Sequence, residues 1–329
     1  MPDDLLTLSA LAVLAVSFGV GIVVGLTGMG GGALMTPALI FLGIPPTAAV
    51  ANDLVAAAVN KSVGAAVHWR HGAPNMRLAG LLVVSSVPFA LAGGFIVHRI
   101  GGENAEEMVA TAIGAALLFT AATYTLRVYL QLRLVRDGNE APTEVVRLRP
   151  LPTVLVGAFG GLLVGITSVG SGSVIMVALL LLYPALTAVR LVGTDLVQAV
   201  PLVLAAAIGH VVVAGIDWEV LIPLIVGGTP GTFLGARMAA WVSQSVIRRG
   251  IVIVLSLTGL KLLGVPPEAV GIIGAALLLL GPLAWGWVRQ RAGLPAFDEQ
   301  RTAWRHDPAD GSPDQPEEPA DPAGHSRAS

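Results

Sequence analysis

The sequence predicts an all-α integral membrane protein. It is expected to hold two inverted repeats, each a glycine-broken helical hairpin followed by three transmembrane helices, with one extra C-terminal transmembrane helix. Three observations lead there: the composition, the spacing of apolar stretches, and an internal repetition. Of 329 residues, 54% are hydrophobic and 12% are charged. A soluble domain carries about 25% charged residues, and a chain with half that cannot cover a surface facing water, so lipid takes that place. The 40 glycines and 22 prolines suit transmembrane helices, and a disordered chain would not share this apolarity. There is no cysteine, which excludes disulfides and thiolate metal sites. A net charge of −2 leaves no electrostatic footprint for nucleic acid. The start, Met1-Pro2-Asp3-Asp4, lacks the basic region of a cleavable signal peptide, so the first apolar stretch is expected to be retained.

Apolar helical stretches are expected at 5–27, 31–43, 47–69, 76–98, 105–130, 151–168, 171–183, 186–214, 219–241, 246–264 and 267–290. A full span needs about 20 residues, and 31–43 and 171–183 fall short of it. Two segments are polar. Residues 131–150, with Arg133, Arg136, Arg147 and Arg149, read as a linker, and 291–329, rich in Pro, Asp, Glu and Ser, as a disordered tail. The organisation is therefore a first repeat at 1–130, a cytoplasmic linker at 131–150, a second repeat plus the extra helix at 151–290, and a cytoplasmic tail.

The repetition is read directly. Gly25-Leu26-Thr27-Gly28-Met29-Gly30-Gly31-Gly32 resembles Gly165-Ile166-Thr167-Ser168-Val169-Gly170-Ser171-Gly172. Gly21/Gly161, Thr47/Thr187 and Ala48/Ala188 keep that register. Asn52-Asp53-Leu54-Val55 then matches Thr194-Asp195-Leu196-Val197 two residues further on, a shift that His68/His210, Pro88/Pro230 and Gly93/Gly235 retain.

Charge gives the topology. Cytoplasmic loops collect Lys and Arg, which puts the Arg-rich linker inside and Glu103, Glu106 and Glu107 at the outer face. Arg70, His71 and Arg77 then lie inside, and Pro45-Pro46 and the acidic N-terminus outside. In the second half, Asp217 and Glu219 fall outside and Arg248, Arg249, Arg289 and Arg291 inside. This holds only if each repeat begins with a hairpin that enters and leaves by one face. Each repeat then has an odd number of crossings, so the two are inverted, and inverted repeats with broken helices place substrate at the repeat interface near midplane.

The glycine-rich tips are the first candidate site. Irregular backbone at membrane depth is tolerated only beside protein or a water-filled cavity, and the helix that starts near Gly31 aims N–H groups and a positive dipole end at the tip. Glycine lets a ligand approach the backbone, and Thr167, Ser168, Ser171 and Ser173 add hydroxyls in the second half. Glycines also simply let helices pack closely. Asp53 and Asp195 sit early in long apolar helices. Buried ionisable groups in membranes are costly and functional by default: they either take a coupling proton or cation such as Na+, or cap broken helix ends. Asn52 and Thr194 share either role. Lys61 lies mid-helix beside Asn60, and the second repeat has Val203 in its place. A lysine at the bilayer centre costs roughly 2.5–3.5 kcal/mol. It is a counter-charge for an anion, or else pairs with Asp53 or snorkels toward the inner face. His68 and His210 suit a proton relay or, more simply, structural hydrogen bonds. Pro88 and Pro230 read as kinks, and Gln198, Thr229 and Thr232 as polar groups lining a cavity. No Walker loop, nucleophile elbow, metal-ligand cluster or catalytic dyad is visible, so neither an enzyme nor a cofactor is expected, and any transport is secondary.

Gly25–Gly32, Pro37, Ala49-Val50-Ala51-Asn52-Asp53 and Gly64-Ala65-Ala66-Val67-His68-Trp69-Arg70-His71-Gly72 resemble the TauE/SafE family. That is the sulfite and organosulfonate exporter group, also called the toluene-sulfonate uptake permease family. The likeness spans about residues 8–265. It implies a bacterial inner-membrane permease for sulfite, sulfoacetate or related anions, coupled to an ion gradient, with Thr27, Gly28, Met29, Gly30, Gly31 and Gly32 and the stretch Thr167 to Ser173, including Gly170 and Gly172, along the pathway. The second tip departs from the first, with Ser168 and Ser171 in place of Gly28 and Gly31. Two other readings stand beside an anion permease: a cation- or proton-coupled exporter centred on the Asp pair, and a non-transporting membrane scaffold, which the short loops disfavour.

Overall fold

The structure, a computed structural model, describes residues 2–27, 31–69, 74–101, 104–136, 148–184, 186, 188–238, 241 and 244–291. Gly28, Met29 and Gly30 of the first tip, the middle of the linker and the tail from 292 lie outside the described residues, as does the side chain of His68. Among the described residues there are helices and no strand: α1 (Pro2–Thr27), α2 (Gly32–Phe41), α3 (Pro46–Trp69), α4 (Met76–Gly101), α5 (Ala105–Arg136), α6 (Pro150–Thr167), α7 (Val174–Leu182), α8 (Ala188–Ala214), α9 (Trp218–Met238), α10 (Gln244–Leu262) and α11 (Pro267–Arg291). The chain divides into a unit 1–285 and a unit 286–329. The described part of the second unit is the end of α11.

Each expected apolar stretch is a helix. The largest boundary difference is in α5, which continues to Arg136 past the expected end at 130, because Gln131, Leu132, Arg133 and Leu134 all favour helix. Arg133 and Arg136 therefore stand on α5 rather than in a loop. Among the described residues six helices are long and apolar enough to cross a membrane: α1, α4, α5, α6, α8 and α9. The longer α3, of 24 residues, carries Asn52, Asp53, Asn60 and Lys61 and is not among the six. With 10 and 9 residues, α2 and α7 rise about 15 Å at 1.5 Å per residue, about half of the ~30 Å hydrocarbon core. Large apolar side chains such as Val84, Phe159, Val212, Phe233 and Ile272 are exposed, where lipid would replace water.

The most extensive helix packing joins α1 with α9, α4 with α6, α4 with α8, and α3 with α8. Glycines permit close approach in the first three pairs, because lipid removes the hydrophobic drive for helix association and leaves close packing to do the work. A Cβ on Gly21 would fall 2.5 Å from the Gly228 carbonyl oxygen, and one on Gly25 2.1 Å from that of Thr232, both on α9. A Cβ on Gly161 would fall 2.3 Å from the Ser86 carbonyl oxygen, and one on Gly165 2.4 Å from that of Ala90, both on α4. Pro88 lies within continuous α4, and Pro223 and Pro230 within α9. The principal core runs through α3–α8 and α10, with Leu54, Leu82, Leu117, Ile175 and Leu202 wholly buried. A second cluster joins α1, α2, α3 and α9.

A methyl group at Gly165 must displace backbone rather than a flexible side chain. Gly165→Ala is expected to lower stability by about 1–3 kcal/mol, read as a fall in apparent Tm in detergent. Gly80→Ala, where a Cβ meets nothing within 4 Å, leaves the melt unchanged or raises it.

Candidate functional site

The second tip is built by the end of α6. Thr167 donates its hydroxyl back to the Leu163 carbonyl at 2.7 Å and accepts the Val169 N–H at 3.2 Å. Ser168 then turns left-handed (φ 60), as does Gly170 (φ 107). Ser168 is the sole non-glycine residue with positive φ among the described residues, in a conformation that costs roughly 1–2 kcal/mol for a side chain with a Cβ. Ser173 N–H and Val174 N–H return to the Gly170 carbonyl at 3.4 and 3.1 Å, and α7 begins with no side-chain cap. In the first tip, Thr27 donates to the carbonyls of Val23 (2.9 Å) and Val24 (3.2 Å), and α2 begins after Gly31, again with no side-chain cap. The tips touch: a Cβ on Gly32 would fall 1.9 Å from the Ser168 carbonyl oxygen. Both short helices thus bring uncapped N-terminal amides to one region, an arrangement suited to an anion.

Asp53 ties this region together. Its Oδ2 accepts the Thr36 hydroxyl of α2 at 2.6 Å and the Ser168 hydroxyl of the second tip at 2.7 Å. Asp53, Thr36 and Ser168 are all buried. Its counterpart Asp195 behaves differently and accepts Gln198 Nε2 at 3.0 Å on its own helix. The half-buried Lys61 donates from Nζ to Ser171 Oγ of the second tip, and its charge lies within electrostatic reach of both Asp195 and Asp53. Arg127 of α5 donates from Nη1 to the Gly172 carbonyl at 3.5 Å and is felt by Asp195.

One cavity borders this cluster and a second lies apart from it. The first, about 10 Å³, is lined by Ala33, Thr120, Ser168, Gly170, Ser171, Gly172 and Ser173. The other, about 480 Å³, opens where α3 starts and α8 passes to α9, and is lined by residues that include Thr47, Asn52, Asp217 and Glu219. Asn52 donates Nδ2 to the Ala48 carbonyl at 2.9 Å, while its buried Oδ1 has no partner.

The remaining candidates fall around these. Asn60 Oδ1 accepts the Thr229 hydroxyl at 2.8 Å. His210 Nε2 meets the Gly165 carbonyl at 2.7 Å. Thr194 accepts the Asn75 N–H at 2.9 Å, away from the tips, at the start of α4. Thr232 donates to the Gly228 carbonyl within α9.

Comparison with known proteins agrees with this architecture. The family model described as Sulfite exporter TauE/SafE matches residues 13–262. The chain belongs to the TauE/SafE family. A Bacillus subtilis (strain 168) relative described as "Probable membrane transporter protein YjnA" is 35% identical over 246 residues, covering 74% of this chain and 96% of the relative. A second from the same organism, "Probable membrane transporter protein YdhB", is 25% identical over 252 residues, 76% of this chain and 99% of the relative. No solved structure matches. This TauE/SafE chain is thus a multi-pass membrane protein whose relatives are described as transporters.

Within this TauE/SafE fold, Asp53, Lys61, Gly32, Ser168, Ser171 and Gly172 converge, whereas Asn52 and Thr194 face different surroundings. Sequence reasoning missed Thr36 and Arg127. Thr36 carries no signal, since a threonine in an apolar helix is ordinary. Arg127 did carry one, as a cation near the end of the apolar stretch 105–130. Among the described residues no group of three or more His, Cys, Asp or Glu could hold a metal ion.

Ser168→Ala removes one of two donors to a buried carboxylate and keeps the left-handed backbone strain, so it is expected to cost about 1–3 kcal/mol of stability. Ser168→Gly loses the same bond but relieves the strain. Its melt is expected to lie above that of Ser168→Ala by about 1 kcal/mol.

Proposed function

We propose that this protein is a secondary permease for small sulfur-containing anions such as sulfite or organosulfonates, coupled to a proton or Na+ gradient across the bacterial inner membrane. The observation that carries the anion reading is the Lys61 ammonium on Ser171 of the second tip, beside two helix N-termini that no side chain caps. A cation, hydroxyl donors and uncapped amides together recognise an oxyanion. The tip residues from Thr27 to Gly32 and from Thr167 to Ser173, with Asn60 and Lys61, form the substrate site. Asp53 and Asp195, with Asn52, Thr194, His68 and His210, serve coupling or gating. Both relatives are described as probable membrane transporters, which favours this reading over enzymatic or scaffolding roles.

Two inverted repeats fit the same reading. Gly21 and Gly25 of α1 pack on Gly228 and Thr232 of α9 as Gly161 and Gly165 of α6 pack on Ser86 and Ala90 of α4. These are exchanged partners at equivalent positions. Asn52 borders the cavity near Asp217, while its equivalent Thr194 meets Asn75 at the turn before α4, as inversion requires. Thr47 donates its N–H at 3.0 Å and its hydroxyl at 2.6 Å to the Glu106 carboxylate, which joins the ends of α3 and α5 that charge assigns to the periplasm. On this reading the N-terminus is periplasmic, the basic 131–150 linker and the 291–329 tail are cytoplasmic, and α11 is the extra helix.

Ligand-dependent melting of the detergent-purified protein tests this, because a ligand that binds only the folded state raises stability by about 2.7 kcal/mol at a hundredfold excess over Kd. Sulfite, sulfate, thiosulfate, sulfoacetate, taurine and chloride are compared on wild type and Lys61→Ala. A sulfur oxyanion is expected to raise the wild-type Tm and to lose most of that effect in Lys61→Ala. If no anion moves the melt while Na+ or pH does, the substrate assignment falls and the Asp-centred exporter replaces it.

A further inference from the structure

The helix α5 holds a polar stripe at odds with its apolar sequence. Thr120, Tyr124 and Arg127 recur at i, i+4 and i+7, which places them on one helical face, and α5 packs against α7, the helix that leaves the second tip. Thr120 is 1% exposed, its hydroxyl has no hydrogen-bond partner, and it lines the 10 Å³ cavity with Ser168, Ser171 and Ser173. Several hydroxyls in these helices are satisfied by the carbonyl four residues back: Ser62 by Ala58, Ser85 by Leu81, Thr125 by Ala121 and Thr232 by Gly228. Thr120 does not take that route, although the same carbonyl geometry is open to any helical threonine. Ser86 of α4 also lacks a partner, but it does not line this cavity. A buried hydroxyl left without a partner and turned to a cavity of hydroxyls and glycine backbone is poised for a ligand. Two turns along the same face, the Arg127 guanidinium reaches Gly172 of the same tip.

We propose that α5 forms a wall of the anion site, with Thr120 and Arg127 as oxyanion-binding residues that act together with Lys61. This rests on the permease reading above and adds its specificity element. The chemistry selects for a pyramidal or tetrahedral oxyanion over a halide. A guanidinium presents a fixed fork of N–H donors that matches two oxygens at once, whereas an ammonium is a point charge indifferent to shape. Lys61 supplies the second kind of contact and Arg127 the first. The charges set a condition as well. Lys61 and Arg127 formally balance Asp53 and Asp195, so an anion entering this cluster alone would leave it negative in a low-dielectric setting, and it is accommodated with a monovalent cation. The cavity has the volume of about one water, so a sulfur oxyanion enters only when the second tip draws away from α5.

The test measures sulfite and chloride affinity from concentration-dependent melting, on the full chain, for wild type, Thr120→Val, Thr120→Ser, Arg127→Lys and Arg127→Gln. Thr120→Val keeps the shape and loses only the hydroxyl. It is expected to weaken sulfite binding about tenfold, the loss that one hydrogen bond to a charged ligand represents, with the ligand-free Tm unchanged or raised. Thr120→Ser restores wild-type affinity. Arg127→Gln weakens sulfite about tenfold or more, and Arg127→Lys weakens sulfite while leaving chloride within about twofold. Thr120→Val and Arg127→Gln that bind sulfite as wild type does, while Lys61→Ala does not, overturn the role of α5 and leave the permease reading standing. A wild-type protein that no anion stabilises overturns both.

Discussion

Every broken helix in a membrane leaves polar groups that lipid will not satisfy, and this constraint organises the rest of the molecule. The two short helices α2 and α7 begin at glycine-rich tips whose backbone cannot continue the preceding helix. Asp53 holds the broken segments through their side chains, reaching from α3 to the hydroxyls of Thr36 of α2 and Ser168 of the second tip. A single carboxylate therefore links three segments, two of them from opposite halves of the sequence. It can do so only because Gly32 lets the tips approach until a Cβ would overlap the Ser168 carbonyl, and because Ser168 holds a left-handed backbone that turns the chain at that point. The glycine contacts seat the helices that deliver the tips, α1 on α9 and α6 on α4.

The helices were legible because apolar runs of known length and a repeated glycine motif are long signals, robust to a few residues of error. The convergence of Asp53, Lys61 and the second tip was legible in outline, since ionisable residues in an apolar chain are rare. Their division of labour was not. Asp53 and Asp195 occupy equivalent positions in the sequence, yet one bonds across the halves and the other bonds Gln198 on its own helix, because position 56, the match to Gln198, is alanine and because Ser168 stands where the first tip has Gly28. Repetition predicts where two residues lie, while their partners depend on the side chains that differ between the halves. Arg127 escaped because a stretch read for apolarity averages over one cation, and Thr36 because nothing in the sequence distinguishes a threonine that bonds a carboxylate on another helix from one that returns to its own helix.

The cluster also constrains how any ligand is admitted. Hydroxyls, glycine backbone and opposed charges already fill the space between the tips, and the cavity beside them holds about 10 Å³. A separate cavity of about 480 Å³ reaches Asn52, the neighbour of Asp53, from one end of the helices. The carboxylate that joins the two halves thus lies one residue along α3 from the lining of that cavity.

The most direct test is flux through the protein reconstituted in lipid vesicles, followed as uptake of sulfur-35-labelled sulfite. The account predicts saturable uptake above that of protein-free vesicles, inhibited by unlabelled sulfite in excess. Uptake that stays linear with concentration and equal to that of protein-free vesicles, under either an imposed proton or an imposed Na+ gradient, would contradict it.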